Sequence, residues 1–470
     1  MTSLNTSSHA FESNADTPID SASWSESATR LDRLPVGRFH FRIMSIIGAG
    51  LFVDAFEVIL ASSVLGALQK SGWSNLHLTS LFVSATFAGL LIGGWMAGMV
   101  GDHVGRKASY QLNLLIFGGA SFAAFFAPSM YFLIGCRFIM GIGLGAELVL
   151  GYSTLAEFVP PSKRGRLSAA MALITQTGGF AASLASAWVI PHMGWRYMFL
   201  IAALGASIVW FMRRFMPESP RWLESRGRLV ESRAILDSIE VEAYRGQPRP
   251  ADVVRPIEAG LAKAAPKLRV WALFSPKYLR STLIGVLVMA TMQVCLYGLV
   301  TWLPTFFVSL GHSMEEALRW NAYIAIGQPV GGIIAIAFVD RIGRKAMLCT
   351  AAMTAIVMSV IYLTATVETP ALLVTMGLIF MVVTSVLTVV GQGIYLSELF
   401  PTQLRARGAG ISSSLSRMLS IGVQALVPII FATYHINGIL LAVDGVLIFF
   451  TVVLLTFGVE TKQRRLESIA

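Results

Sequence analysis

Twelve runs of apolar residues, each long enough to cross a hydrocarbon core of roughly 30 Å, constrain this chain more than any other feature. They fall at about 41–68, 78–100, 108–127, 130–156, 167–190, 195–214, 281–309, 319–339, 346–367, 370–397, 408–433 and 437–458. With 55% hydrophobic and 13% charged residues among 470, the chain has far more apolar surface than one aqueous core hides. A disordered chain, a disulfide scaffold and an ordinary soluble enzyme are excluded on that ground. The sequence predicts an all-α membrane protein of twelve transmembrane helices in a lipid bilayer. Cys136, Cys295 and Cys349 lie far apart inside apolar runs, which fits packing and neither a disulfide framework nor a metal knuckle.

A formal charge of +10 raises the question of nucleic acid, and the placement of the basic residues answers it. Of the 36 Lys and Arg, only Lys70, Arg196 and Arg319 fall in loops on one side, and Arg137 and Arg417 lie within spans. All the others fall on the opposite side, counting Arg42 and Arg213 as helix-end residues. By the positive-inside rule this predicts both termini in the cytoplasm of a cell with an inner or plasma membrane. Basicity therefore reports orientation, and no nucleic-acid partner is expected. Residues 1–38 are rich in Ser, Thr, Asp and Glu without an apolar stretch, and are expected to form a disordered cytoplasmic tail. A polar linker at 215–280, with an amphipathic helix near 227–243 carrying Leu229, Ile235, Leu236 and Ile239 on one side, separates six-span units at 39–214 and 281–458. A short tail follows at 459–470.

The two halves repeat each other. GDHVGRK at 101–107 recurs as VDRIGRK at 339–345, EFVPPSKRGR from Glu157 recurs as ELFPTQLRAR from Glu398, and PESPRWLE from Pro217 recurs as VETKQRRLE from Val459. The three offsets are 238, 241 and 242, too uniform for chance. These loops resemble those of the major facilitator superfamily, over the whole chain apart from the amino-terminal tail. They are similar to the set shared by sugar porters and by carriers for nicotinate, organic anions and organic cations. The resemblance implies two pseudosymmetric six-helix bundles that rock about a central cavity, a monomeric carrier, and no cofactor.

Departures from that lineage narrow the expectation. The seventh span, MATMQVCLYGLVTWLPTFF from Met289, lacks the paired glutamines and asparagine with which sugar porters hold hydroxyls, although Gln293 is present, and this demotes a sugar. The fifth span, ITQTGGFAASLASAWVIP from Ile174, lacks the Gly-Pro-x-x-Gly-Gly pattern of drug/proton antiporters, which favours uptake. VDAFEV from Val53 resembles the Asp-Gly-Phe-Asp element of aromatic-acid/proton symporters, with Ala55 and Glu57 as replacements. LYGLVTWLPTFF from Leu296 and GAELVLGYSTLAEFVP from Gly145 are most similar to nicotinate-type carriers.

Charges inside a span cost several kcal/mol unless paired or wetted, so each is a candidate for function. At 1.5 Å per residue, Asp54 and Glu57 sit roughly 20 and 24 Å above the inner end of the first span. Three residues apart on one face, the two carboxylates repel, which suits one of them to carry a proton; a helix cap or a permanent arginine pair is the alternative. Arg137 and Glu147 in the fourth span lie at roughly 30 and 15 Å, bracketing that acidic pair. The resemblance implies that the first and fourth helices both face the cavity, which would let Arg137 clamp Glu57, either as a moving partner or as a static bundle-holding bridge. The run Gly141, Gly143, Gly145 before Glu147 allows close helix approach.

The resemblance singles out Arg417 in SSSLSRMLSIG, because organic-anion carriers of this lineage have arginine at the matching place in the eleventh span. Its alternative is an arginine reaching toward the inner interface. An offset of 241 brings Gln176 to the pseudosymmetric position. Tyr297, Trp302, Phe306, Phe307, Tyr323 and Tyr395, with Gln293, Gln328 and Gln392, are candidate walls for a flat acid, with Tyr297 and Trp302 preferred. In the loops, Asp102, Arg106, Lys107, Glu157, Arg164 and Arg166, repeated by Asp340, Arg344, Glu398 and Arg405, are expected to form charge networks across the cytoplasmic seam and hold an inner gate shut. His103 and His435 are expected at the surface. No phosphate cradle, nucleophile elbow or metal-ligand cluster is present in the sequence, so an enzyme is not indicated. The resulting expectation is a secondary transporter taking up a small aromatic carboxylate, such as benzoate or nicotinate, with protons. The alternatives are a facilitator or exporter of another polar metabolite, including a sugar or organic cation, and a carrier-like membrane sensor.

Overall fold

The computed structural model describes residues 26–244, 270–364, 369–400 and 404–461, and every regular element among them is a helix. A short α1 (Glu26–Asp32) precedes six long helices, α2 (Arg38–Lys70), α3 (Leu76–Val104), α4 (Arg106–Phe125), α5 (Met130–Phe158), α6 (Pro161–Met193) and α7 (Arg196–Met212). The linker contributes α8 (Pro220–Ser225) and α9 (Leu229–Tyr244). In the second half, α10 (Pro276–Gln293) and α11 (Leu303–Ser309) make one broken span, and α12 (Met314–Ala325) and α13 (Gly327–Ile342) make the next. α14 (Arg344–Thr364), α15 (Pro370–Val386), α16 (Leu396–Glu398) and α17 (Arg405–Phe457) complete the chain.

Ten segments among the described residues are long and apolar enough to cross a membrane. The last of them contains two crossings, because α17 folds back at His435, where φ is 53°. α4 lies outside those ten, being less apolar through residues such as Gln111 and Asn113, but at twenty residues it also spans the roughly 30 Å core. The chain is thus an all-α, multi-pass protein of twelve crossings, with His435 exposed at its final turn.

The sequence repeat is also a repeat of geometry. Gly105 and Gly343 both turn the chain with φ near 100° (102° and 100°), a conformation that a Cβ disfavours. Beneath each turn a glutamate from beyond the sixth span of the same half accepts the exposed amide of the next helix. Arg106 N donates to Glu218 at 2.8 Å, and Arg344 N donates to Glu460 at 2.9 Å. A carboxylate there satisfies unpaired amides and complements the helix dipole.

In the first half, glycines let α3 and α5 touch backbone to backbone. A Cβ on Gly141 would lie 3.0 Å from Gly89 Cα, and one on Gly145 would lie 2.9 Å from Gly94 N. Lipid offers no hydrophobic drive for helix association, so such packing has to hold the bundle together. Gly141→Val should therefore lower stability by about 1–3 kcal/mol or prevent assembly. A thermal-melt and gel-filtration comparison in detergent checks this, and an unchanged melting temperature would count against it.

The amino-terminal expectation needs correcting. Residues 26–37 do not behave as part of a disordered tail: Leu31 and Leu34 are buried in a cluster with Leu236, Ile239, Phe39 and Phe158. Arg30 donates to Glu240 at 2.7 Å and to Asp237 at 2.6 Å, and these carboxylates raise its pKa further above the usual arginine range. Composition averaged over 38 polar residues hides two leucines that meet a partner 200 residues away. Residues 1–25 lie outside the described residues. The linker helix forms where periodicity places it, but Leu229 at its start is exposed while Leu236 and Ile239 are buried.

Candidate functional site

Between the halves lies a cavity of about 160 Å³. Asp54 reaches it from α2, Gln176 from α6, Gln293 from α10, Gln328 from α13 and Arg417 from α17. Tyr297 and Gln392 enter it from two stretches of π-helix, Val294–Leu299 and Leu387–Tyr395, which interrupt the seventh and tenth spans. A π turn widens the helix locally and frequently marks a functional position. Thr175, Thr388 and Ser413 add hydroxyls, and Leu51, Phe87, Leu144, Met289 and Met292 supply apolar wall. The cavity thus gathers residues that the sequence leaves scattered over eight spans.

Its electrostatics are those of two closed ion pairs and two open charges. Arg137 Nη1 pairs with Glu57 Oε1, and Arg137 Nε donates to Thr86 Oγ1 at 3.1 Å. Both members are buried, and the guanidinium stacks 4.9 Å over the Phe82 ring. Arg213 holds Glu147 bidentately, through Nη1 to Oε2 at 2.7 Å and Nη2 to Oε1, with its guanidinium 4.2 Å over the Tyr110 ring. Each pair sums to zero charge. Among the described residues Asp54 has no ion-pair partner, and its Oδ2 is buried without any donor. Arg417 is also buried, and among the described residues its Nη1 donates only to the Leu90 carbonyl oxygen, at 2.8 Å.

Several expectations change in three dimensions. Asp54 and Glu57 do not act as one acidic pair, since Asp54 lines the cavity whereas Glu57 turns to Arg137. Glu147 stands behind α2 with Arg213, outside the cavity lining. Trp302 is not a cavity wall. It is fully buried, stacks on Phe306, and donates Nε1–H to Gln424 Oε1 at 2.9 Å. Phe306 and Phe307 belong to the core, Tyr323 is exposed on the outside, and Tyr395 donates its hydroxyl to Val459 O at 2.9 Å. Sequence spacing places an aromatic residue along a helix but leaves its azimuth open.

Among the described residues, Arg106 with Glu157, and Arg344 with Glu398 and Asp340, pair inside each half. Arg106 meets Glu157 at 3.1 Å, joining α4 to α5, and Arg344 meets Glu398 at 3.1 Å and Asp340 at 3.0 Å. Lys107 Nζ donates to Arg214 O at 2.8 Å. The side chains of Asp102, Arg164, Arg166 and Arg405 lie outside the described residues. Bonds between the halves occur elsewhere. Ser62 Oγ donates to Thr301 O at 2.8 Å, Ser80 Oγ to Gln424 O at 2.6 Å, and Gln176 Nε2 to Ser385 Oγ at 2.8 Å.

Two residues escape a reading of the sequence, and a third is legible there. Arg213 counts there as a topology marker at a helix end. Gln424 gives no signal, being an amide in an apolar span. Asp444 is accessible to the rule for charges within spans; it accepts from Ser359 Oγ at 2.6 Å inside the second bundle, away from the cavity.

The profile of the sugar (and other) transporter family matches residues 49–470. The chain belongs to that family. This transporter is 33% identical to the inner membrane metabolite transport protein YdjE of Escherichia coli, over 94% of this chain and 97% of that protein. It is 29% identical to the niacin transporter NiaP of Acinetobacter baylyi, over 94% and 99% of the two chains. The E. coli xylose transporter XylE, in a partially occluded inward open conformation, aligns with a TM-score of 0.73. That alignment covers 91% of this transporter and 100% of XylE at 20% identity, and shows a common fold. The chain is a multi-pass membrane transporter with the major facilitator fold.

Proposed function

We propose that this transporter carries a small polar organic metabolite with a proton by alternating access, and that its cargo is an organic carboxylate. One observation carries the proposal: the only described charges left without an opposite partner at the cavity are Asp54 on one bundle and Arg417 on the other. An uncompensated charge is costly in a low-dielectric interior. The empty carrier, with ionised Asp54 and cationic Arg417, sums to zero at the cavity. Loading a proton on Asp54 and an anion on Arg417 also sums to zero. Loading either one alone leaves a net charge, so the states able to rock are the empty and the fully loaded ones. Arginine's planar fork suits carboxylate recognition.

A second reading has its own support. Gln176, Gln293, Gln328 and Gln392 converge on the cavity, and carboxamides hold hydroxyls by donating and accepting together. This offsets the missing seventh-span glutamines and asparagine that counted against a sugar. Among the relatives, one name specifies niacin, one xylose and one only a metabolite. They support the wider reading, a carrier of some polar metabolite, better than an aromatic anion in particular. The placement of Lys and Arg supports cytoplasmic termini.

Proteoliposome uptake of labelled nicotinate, benzoate and xylose, with an inward proton gradient and the membrane voltage clamped by potassium and valinomycin, tests the two readings. The carboxylate reading expects gradient-driven accumulation of an acid that is indifferent to voltage. Voltage-driven accumulation of xylose would favour the second reading. Uptake that follows neither gradient would reject proton coupling.

A further inference from the structure

We propose that Arg213 is a positioning residue for proton coupling: by holding Glu147 in a closed ion pair behind α2, it leaves Asp54 as the single acid that exchanges protons with the cavity. This rests on the role of Asp54 given above. Arg213 follows α7 beside Arg214, and a pair of arginines that only marked topology would both be solvated. Instead Arg213 is 1% exposed and Arg214 is exposed. Space for the buried fork is made by Gly50, one turn before Asp54 on the same face of α2. Any side chain at 50 would overlap the Arg213 guanidinium and the Glu147 carboxylate. The cluster therefore presses on the stretch of α2 that carries Asp54.

Among the described residues, the charged and titratable groups around Asp54 each have a place in this arrangement, and Tyr297 lines the same cavity from the other bundle. Glu57, on α2 itself, is neutralised by Arg137 of α5. Glu147 of α5 is neutralised by Arg213, and Tyr110 of α4 lies under that guanidinium. α6 presents Thr175 and Gln176, which do not titrate, and Arg417 of α17 faces the cavity from the other bundle. Arg213 Nε is buried without an acceptor and Asp54 Oδ2 is buried without a donor. Without Glu147, Arg213 would be free to hold Asp54 as an anion; without Arg213, Glu147 would be a second acid beside it.

The test is the pH dependence of labelled nicotinate uptake into proteoliposomes for R213Q, E147Q and the double variant, with D54N as control. The pH of half-maximal uptake is expected to move about one unit alkaline in R213Q and about one unit acid in E147Q. In the double variant, where one neutral pair replaces another, it should return close to the starting value. A residue with only a packing role would shift none of these midpoints, and the double variant would be the least active of the three. Unshifted midpoints alongside a D54N variant that has lost accumulation would overturn the role of Arg213 alone. A D54N variant that accumulates normally would overturn the role of Asp54 itself. If R213Q does not survive extraction, E147Q decides: an acid shift supports the assignment and an unmoved midpoint ends it.

Discussion

Asp54→Asn is expected to abolish proton-driven accumulation while sparing exchange of cargo across the membrane. Asparagine has the shape of a protonated aspartate, so the cavity keeps its form. Its charge balance changes. In the variant, the empty carrier has the net charge of Arg417 and crosses poorly, whereas the anion-loaded carrier is neutral and crosses freely. Net uptake requires the empty carrier to return; exchange does not. A carrier coupling one proton to one anion supports about tenfold accumulation per unit of pH gradient, from the 1.36 kcal/mol per pH unit. In Asp54→Asn this ratio should fall to about one, with exchange within a few-fold of the parent protein. Counterflow measured alongside net uptake separates these quantities, and retained accumulation would end the assignment.

Arg417→Gln should reduce carboxylate affinity about a hundredfold, equivalent to roughly 3 kcal/mol for losing one member of a buried charge pair. Stability should hardly change. Arg417 is 9% exposed and, among the described residues, its guanidinium has only a carbonyl oxygen, that of Leu90, as its hydrogen-bond acceptor. Removing a buried, uncompensated cation relieves a desolvation cost that offsets the lost hydrogen bond. Direct binding of labelled nicotinate to the purified variant, together with its melting temperature, checks both halves of the statement. Equal affinity in the two proteins would remove the case for an anion and leave the glutamine-lined cavity to a neutral cargo. A large drop in melting temperature would instead make Arg417 a structural residue. Paired with Asp54→Asn, this variant also tests the charge balance: with both charges removed, the carrier should rock empty but accumulate nothing.

Much of the architecture is legible in the sequence because it is local. A run of about twenty apolar residues is long enough to span a bilayer whatever its neighbours do, and α4 is recognisable despite Gln111 and Asn113. The loop repeats are legible because matched turns require matched residues: Gly105 and Gly343 adopt the same backbone conformation over Glu218 and Glu460. Of the cavity polar set, Asp54, Gln176, Gln293, Tyr297, Gln328, Gln392 and Arg417 are candidates from the sequence, and all seven line one space. Trp302 misleads because an indole near a cavity-forming span looks the same in sequence whether it turns toward cargo or donates to Gln424.

What the sequence determined by itself was the number of crossings, the duplication, and the depth of each ionisable group, since 1.5 Å per residue converts position into height. What only the tertiary structure decided was pairing. Glu57 meets Arg137 across 80 residues of chain and Glu147 meets Arg213 across 66. Helices that are apolar on nearly every face carry little record of which way each side chain turns. Azimuth is set by packing against neighbouring helices, and azimuth separates a neutralised charge from one that meets the cavity.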